Sequence, residues 1–317
     1  MSRVIIGIHG LGNKPSAPLL KRWWMKSILE GLTDTGAGSL YFKFEMAYWA
    51  DVLHEKCLNP MESDEDSPYF IEDPYTPRTV KVLEPTAELR KRINMYIEKQ
   101  LEHLILNKDY SINFSKIGDL IIHHFFKDLD KYYAIDATVR LNVRKRLSDL
   151  IERYKSHKIL IIAHSMGSII AFDVLSGLPA NLSIDTLVTV GSPLGIAVIK
   201  GKIMAEKKLQ NPAATHIFTP EAIKHRWVNY SDIEDKVALD YDLADDYLAN
   251  TNGVFPENTI VVNDYVKQDK RNPHKVYGYL RTPQLAKVLS GFITEGRPGF
   301  AVWWLKKWGR IANRKYV

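Results

Sequence analysis

Short apolar runs alternate along this chain with longer stretches in which apolar residues recur every three or four positions. The short runs are β-rich and bounded by turn residues, so residues 4–8, 159–163, 184–190, 226–230 and 259–263 read as buried strands. Residues 40–49 carry a different signal, in which Tyr41, Lys43 and Glu45 alternate with Phe42, Phe44 and Met46. That two-residue period suggests a further strand, second in chain order. Helical periodicity covers residues 19–32, 140–154, 168–175 and 282–293. Strands separated by helices predict an α/β fold with a mostly parallel central sheet flanked by helices.

Residues 51–133 break the rhythm. They open with an acidic, proline-rich stretch containing Glu62, Asp64, Glu65, Asp66, Pro68, Pro74 and Pro77. Beyond it Ile93, Ile97, Leu101 and Leu104 fall on one side of a helix, with Arg90, Lys91, Glu98 and Lys99 largely off it. The segment reads as an insertion into a single domain spanning residues 1–317. Two arrangements suit it: a helical cap over a site, or amphipathic helices packed on the sheet.

Composition narrows the picture. A 45% hydrophobic content supplies a full core, and the net charge of +6 is spread along the chain. A nucleic-acid binder concentrates its basic residues on one face, so that partner is not expected. The single cysteine, Cys57, excludes an intramolecular disulfide and suits a reducing compartment. No run approaches the ~18 apolar residues that span a bilayer, and the apolar start is too short for a signal peptide. A cytoplasmic protein is the expectation.

The densest chemical signal lies in residues 158–170, Lys-Ile-Leu-Ile-Ile-Ala-His-Ser-Met-Gly-Ser-Ile-Ile. A strand ends at Ala163 and a helix begins just past Ser165. Ala163 and Gly167, two residues to either side, are small because a nucleophile on a strained strand-to-helix turn leaves no room there. Such a turn lifts the serine hydroxyl out of the sheet and sets it at a helix N-terminus, where free N–H groups favour negative charge. The stretch resembles the nucleophile turn of the α/β-hydrolase superfamily, particularly its lipase-like serine esterases, with Ala163 in place of the usual first glycine.

Residues 8–13, Ile-His-Gly-Leu-Gly-Asn, look like the H-G-x-G-N segment of the same relatives. The resemblance implies an oxyanion hole built from the backbone N–H groups of Leu11 and Met166. A phosphate loop is the competing reading of these glycines, but neither a Gly-Lys-Ser/Thr nor a G-x-G-x-x-G pattern is present. Family order places an acid and then a histidine after the serine. Only His216, His225 and His274 follow Ser165. His274, after the last expected strand and before the last main helix, is the expected base; His216 and His225 read as structural. Residues 226–237 resemble the strand and D-x-V segment of lipase-like relatives, which implies Asp235 as the acid. Asp232 is the alternative, with a loop-capping role open to it. Thr189 to Gly195 contains a G-S-P segment that resembles lipases without adding a catalytic residue.

These resemblances span residues 4–280 and imply a serine hydrolase of carboxylic esters, plausibly acyl or lipid esters, working through an acyl-enzyme on Ser165 without a cofactor. The same residues would serve a thioesterase or amidase, and an idle hydrolase-like binding module is a rival of another class. Metal chemistry is not expected: Asp240, Asp242, Asp245 and Asp246 lack the spacing of a calcium loop. In residues 299–317, a helix would gather Ala301, Trp304, Leu305, Trp308 and Ile311 on one side and Lys306, Lys307, Arg310 and Arg314 on the other. That pattern suits packing on the protein's own body or peripheral contact with a membrane.

Overall fold

The computed structural model describes residues 2–78, 132–133, 137–238 and 240–316. Six strands form one sheet: β1 (Arg3–Ile8), β2 (Lys43–Ala47), β3 (Lys158–His164), β4 (Ile184–Val190), β6 (Ile223–Ser231) and β8 (Pro256–Ile260). Their order is β2-β1-β3-β4-β6-β8, and each neighbouring pair is parallel. Two short ladders stand apart, β5 (Ile217–Phe218) with β7 (Tyr247–Leu248) and β9 (Val266–Lys267) with β10 (Lys270–Arg271). The helices are α1 (Ala17–Asp34), α2 (Ala50–Leu53), α3 (Ala137–Arg153), α4 (Met166–Ser176), α5 (Ala197–Gln210), α6 (Val276–Leu280), α7 (Pro283–Thr294) and α8 (Gly299–Ala312).

The apolar runs are continuous because both faces of the sheet are covered. Side chains alternate along each strand, so one strand feeds two cores. Ile6, Ile161, Leu187 and Trp227 are paired across four strands and pack on the face covered by α3, α4 and α5. Ile5, Leu160, Val188 and Val228 point into the opposite core, where α1 and α7 lie. The order in which strands are added reverses between β1 and β3: β1 is followed outward by β2, whereas β3 is followed by β4 on its other side. Ligands of open α/β sheets bind at that switch point, outside the carboxyl ends of the strands.

The structure shifts several expected boundaries. The strand expected over 40–49 is confined to Lys43–Ala47, and Trp49 instead precedes α2. The strand expected over 259–263 lies three residues earlier, at Pro256–Ile260, because it pairs in register with Trp227–Ser231. Asn263, freed from the sheet, donates its backbone N–H to Asp232. Of the expected insertion, residues 51–78 form α2 and an extended, turn-rich segment, joined to the body where the Tyr265 hydroxyl donates to Pro74 O (2.6 Å) and the Tyr75 hydroxyl to Glu30 (2.6 Å). The helical pattern of Ile93, Ile97, Leu101 and Leu104 lies outside the described residues. No helix among those described is long and apolar enough to cross a membrane.

Candidate functional site

Ser165 follows β3 directly and holds φ 53° and ψ −128°, a conformation that costs a non-glycine residue roughly 1–3 kcal/mol. The surroundings fix it there. Its N–H donates to Val190 O of the neighbouring strand (3.1 Å), and its carbonyl accepts from the Ser168 hydroxyl (2.6 Å). A side chain at Gly167 would place Cβ 2.7 Å from the carbonyl oxygens of Ile8 and His9, so α4 can start this close to β1 only with glycine there. The glycine of the sequence pattern therefore has a steric cause. Ala163 is wholly buried.

His274 lies just before α6 and brings its Nε2 to 2.9 Å from Ser165 Oγ. Its Nδ1 is 2.8 and 2.9 Å from the two carboxylate oxygens of Asp235. A carboxylate only accepts, so Nδ1 carries the hydrogen and Nε2 offers its lone pair to the serine hydroxyl. Asp235 itself is held on several sides. It accepts from Val237 N (2.9 Å), Ala238 N (3.3 Å) and the Tyr279 hydroxyl (2.7 Å). Burial, reinforced by the charges of Asp235 and Asp232, pushes the Tyr279 hydroxyl well above its ordinary pKa and keeps that donor protonated.

Asp232, the alternative acid, does different work. Its Oδ2 accepts from Asn263 N (2.6 Å) and Arg271 Nη2 (2.5 Å), and its Oδ1 from Glu234 N (2.9 Å). It caps the turn after β6 and pairs with an arginine, while its own N–H donates to the Tyr279 hydroxyl (2.8 Å). One tyrosine thus links the Asp235 carboxylate to the Asp232 backbone, and of the two carboxylates only that of Asp235 meets the imidazole.

The loop after β1 abuts the serine. A Cβ on Gly10 would lie 2.8 Å from Ser165 Cβ. His9 organises this loop: its Nδ1–H donates to Gly10 O (2.8 Å), while Nε2 accepts from Trp49 N (3.0 Å). The peptide between Gly10 and Leu11 is trans and planar, so holding its oxygen holds the Leu11 N–H on the opposite side. Lys14 Nζ gathers the next carbonyls, donating to Leu11 O, Gly12 O (3.1 Å) and Asn13 O (3.4 Å). Met166 opens α4, where an N–H has no acceptor within its own helix. Met166 thus follows Ser165 in the chain, and Leu11 follows Gly10, the residue that lies against Ser165.

Several supporting residues carry no signal that the sequence pattern could have exposed. His164, beside the serine, donates from Nε2 to the backbone oxygen of His274 (2.8 Å) and lies against that ring at 4.9 Å between centroids. Burial, with the neighbouring His274 second, holds its pKa well below the usual imidazole value, as burial does for His9. Gly191, in the segment noted only as a fold marker, has φ 54°, and a Cβ there would sit 2.8 Å from Asp235 Oδ2. The signal was present in Gly191 alone, as a glycine at a strand end; His9, His164 and Tyr279 become legible only when the chain is folded.

His216 and His225 are both exposed and remote from this cluster, the latter near Asp185 at the amino end of the sheet. Asp240 and Asp246 pair with Lys200 (3.4 and 2.6 Å), and Asp242 accepts from Ala244 N. No metal-holding group of His, Cys, Asp and Glu occurs among the described residues. Beside His274 opens a cavity of about 410 Å³, whose walls include Glu72, Asp73, Lys236, Lys267 and Arg271. No protein-family model and no curated protein matches the chain.

Proposed function

We propose that this chain is a serine hydrolase of carboxylic esters with the α/β-hydrolase fold. The observation that carries the reading is the continuous hydrogen-bonded line from Ser165 Oγ through His274 to Asp235, at 2.9 and 2.8 Å, set on a strained turn at the carboxyl end of a parallel strand. The chain order serine, acid, histidine and the place of the β1 loop support the same class.

In this reading Ser165 Oγ attacks the ester carbonyl carbon while His274 Nε2 takes the hydroxyl proton. The N–H groups of Leu11 and Met166 receive the charge that develops on the carbonyl oxygen. His274 returns the proton to the departing alcohol, leaving an acyl-enzyme. A water molecule then attacks it, again with His274 as base, and releases the acid. Asp235 fixes the imidazole tautomer and stabilises the imidazolium.

The test is covalent labelling with a fluorophosphonate, read by intact-mass spectrometry, alongside turnover of a panel of para-nitrophenyl esters from acetate to palmitate. The expected result is one adduct, on Ser165, absent from Ser165→Ala, and turnover lowered by something near 10⁶-fold in that variant. Labelling that persists in Ser165→Ala, or a wild-type chain inert to both reagents, would remove the proposal.

A further inference from the structure

Helix α8 is fastened to the body by one side only. Leu305 and Val302 pack on the core that also holds α1 and α7. Gly309 is the point of closest approach: a Cβ there would sit 1.9 Å from Ser39 O. Asn313, just past the helix, donates to Leu40 O (3.1 Å), and Tyr41 N donates to Leu305 O (3.0 Å). Residues 302, 305, 309 and 313 form the inward stripe at helical spacing.

The outward side is the reverse of an ordinary surface helix. Phe300, Trp304, Trp308 and Ile311, again at helical spacing, are exposed, as is Trp303. These are five of the twelve exposed large hydrophobic side chains among the described residues. Trp303, Trp304 and Trp308 are 56, 47 and 59% exposed, so Trp304 and Trp308 do not share the inward side with Leu305, with which helical periodicity groups them. Lys307 stands over the rings of both Trp303 and Trp304 at 5.2 Å. Lys306, Arg310, Arg314 and Lys315 are exposed around them, and residues 299–317 contain no acidic residue.

We propose that α8 docks on the surface of an anionic lipid bilayer. Tryptophan is the side chain best suited to the headgroup region, with an apolar ring and a polar N–H, and adjacent cations match anionic headgroups. Charge argues against a second copy of the chain as the occupant: two such helices face to face would oppose five cations to five with no acid to offset them. The contact is also placed away from Ser165. Leu305 borders a small cavity together with Arg3, Ile5 and Lys43, at the amino ends of β1 and β2, whereas Ser165 follows the carboxyl end of β3. The bilayer would hold the molecule by the sheet edge opposite its reactive serine, as a tether and not as the route by which substrate enters.

The full chain mixed with vesicles of phosphatidylcholine and phosphatidylglycerol, or of phosphatidylcholine alone, tests this by flotation and tryptophan emission. Binding to the anionic vesicles with a blue-shifted emission, weakening as salt rises, is the expected result. Each of Lys306→Gln and Lys307→Gln should weaken it by about fivefold. Trp304→Ser with Trp308→Ser should weaken it at unchanged charge, and an unchanged melting temperature certifies the fold of each variant. Equal binding to both vesicle types, no binding to either, or indifference to the tryptophan pair overturns the proposal. So does a dimer on size-exclusion chromatography that Trp308→Arg disperses, which would assign the face to self-association.

Discussion

At the carboxyl edge of the sheet Ser165, Asp232 and Asp235 are almost wholly removed from water, while at the amino edge Phe300 and three tryptophans of α8 stand in it. Scattered apolar side chains on a surface need no explanation; buried ionisable groups and a contiguous exposed apolar stripe do. The energetic handling differs as well. Each buried carboxylate accepts several hydrogen bonds, so its burial is offset on the spot. Of the exposed indoles, Trp303 and Trp304 meet edge to face and share Lys307. A strained, fully satisfied polar cluster can act as it stands, whereas an unsatisfied apolar face awaits something to cover it.

The largest expected effects separate the two buried acids. Asp235→Asn should keep the fold and lower ester turnover by roughly 10⁴-fold, because an amide facing Nδ1 no longer enforces the required tautomer. Asp232→Asn should do the opposite. Its carboxylate is wholly buried against Arg271, and breaking such a pair should cost about 3 kcal/mol by urea unfolding while activity falls far less. If Asp232→Asn proved the more damaging to turnover, the division of labour drawn from the hydrogen bonds would be wrong.

Tyr279→Phe comes next. The ring remains and packing is kept, but the hydroxyl that donates to Asp235 and accepts from Asp232 N is lost. A buried N–H left without its acceptor should cost about 2 kcal/mol. The loss should also appear in turnover, since one of the groups that orients Asp235 is gone. A variant as stable and as active as wild type would mean that water takes over both bonds.

Much of this site was legible before folding because its constraints are local. Ser165 sits between Ala163 and Gly167 for a steric reason that repeats wherever a strand turns sharply into a helix, and the loop 8–13 advertises itself by its glycines. The choice of Asp235 over Asp232 rested on a pattern of two residues, and the decisive fact, that Arg271 and Asn263 N occupy Asp232, joins positions some 30–40 apart in the sequence. The same holds for His9 and Trp49. On α8 periodicity identified an amphipathic helix and grouped Trp304 and Trp308 with Leu305, whereas the side that meets the body runs through Gly309 and Asn313, poor markers of burial, where the backbone of Ser39 and Leu40 comes closest. The boundary of β8 failed for a related reason, since Pro256–Ile260 is polar for a strand and earns its place only by pairing with β6.

A pH scan reads the two buried imidazoles. His9 and His164 have folded-state pKa values depressed by burial, so the unfolded chain binds protons below about pH 6.5 that the folded chain does not. Stability from these two groups is complete above that value and is lost as pH falls toward their folded pKa values. Each contributes a slope of up to about 1.4 kcal/mol per pH unit in that window. His164→Asn should flatten the profile of unfolding free energy below about pH 6.5 relative to wild type. A slope equal to that of wild type would show that His164 titrates freely.

The smallest effect is the most telling about α8. Trp308→Ser removes a large apolar side chain, which in the core would cost several kcal/mol. Here the ring is in water in the folded state, so little burial is forfeited, and the free energy of unfolding without lipid should move by no more than about 0.5 kcal/mol. Leu305→Ala, on the docked side of the same helix, should cost more than that, because Leu305 packs on the core. Turnover of a soluble ester should be unaffected by either Trp308→Ser or anionic vesicles, since the helix lies at the edge away from Ser165. A loss from Trp308→Ser as large as that from Leu305→Ala would mean the indole packs on the protein after all, and the contrast between the two edges would reduce to the buried acids alone.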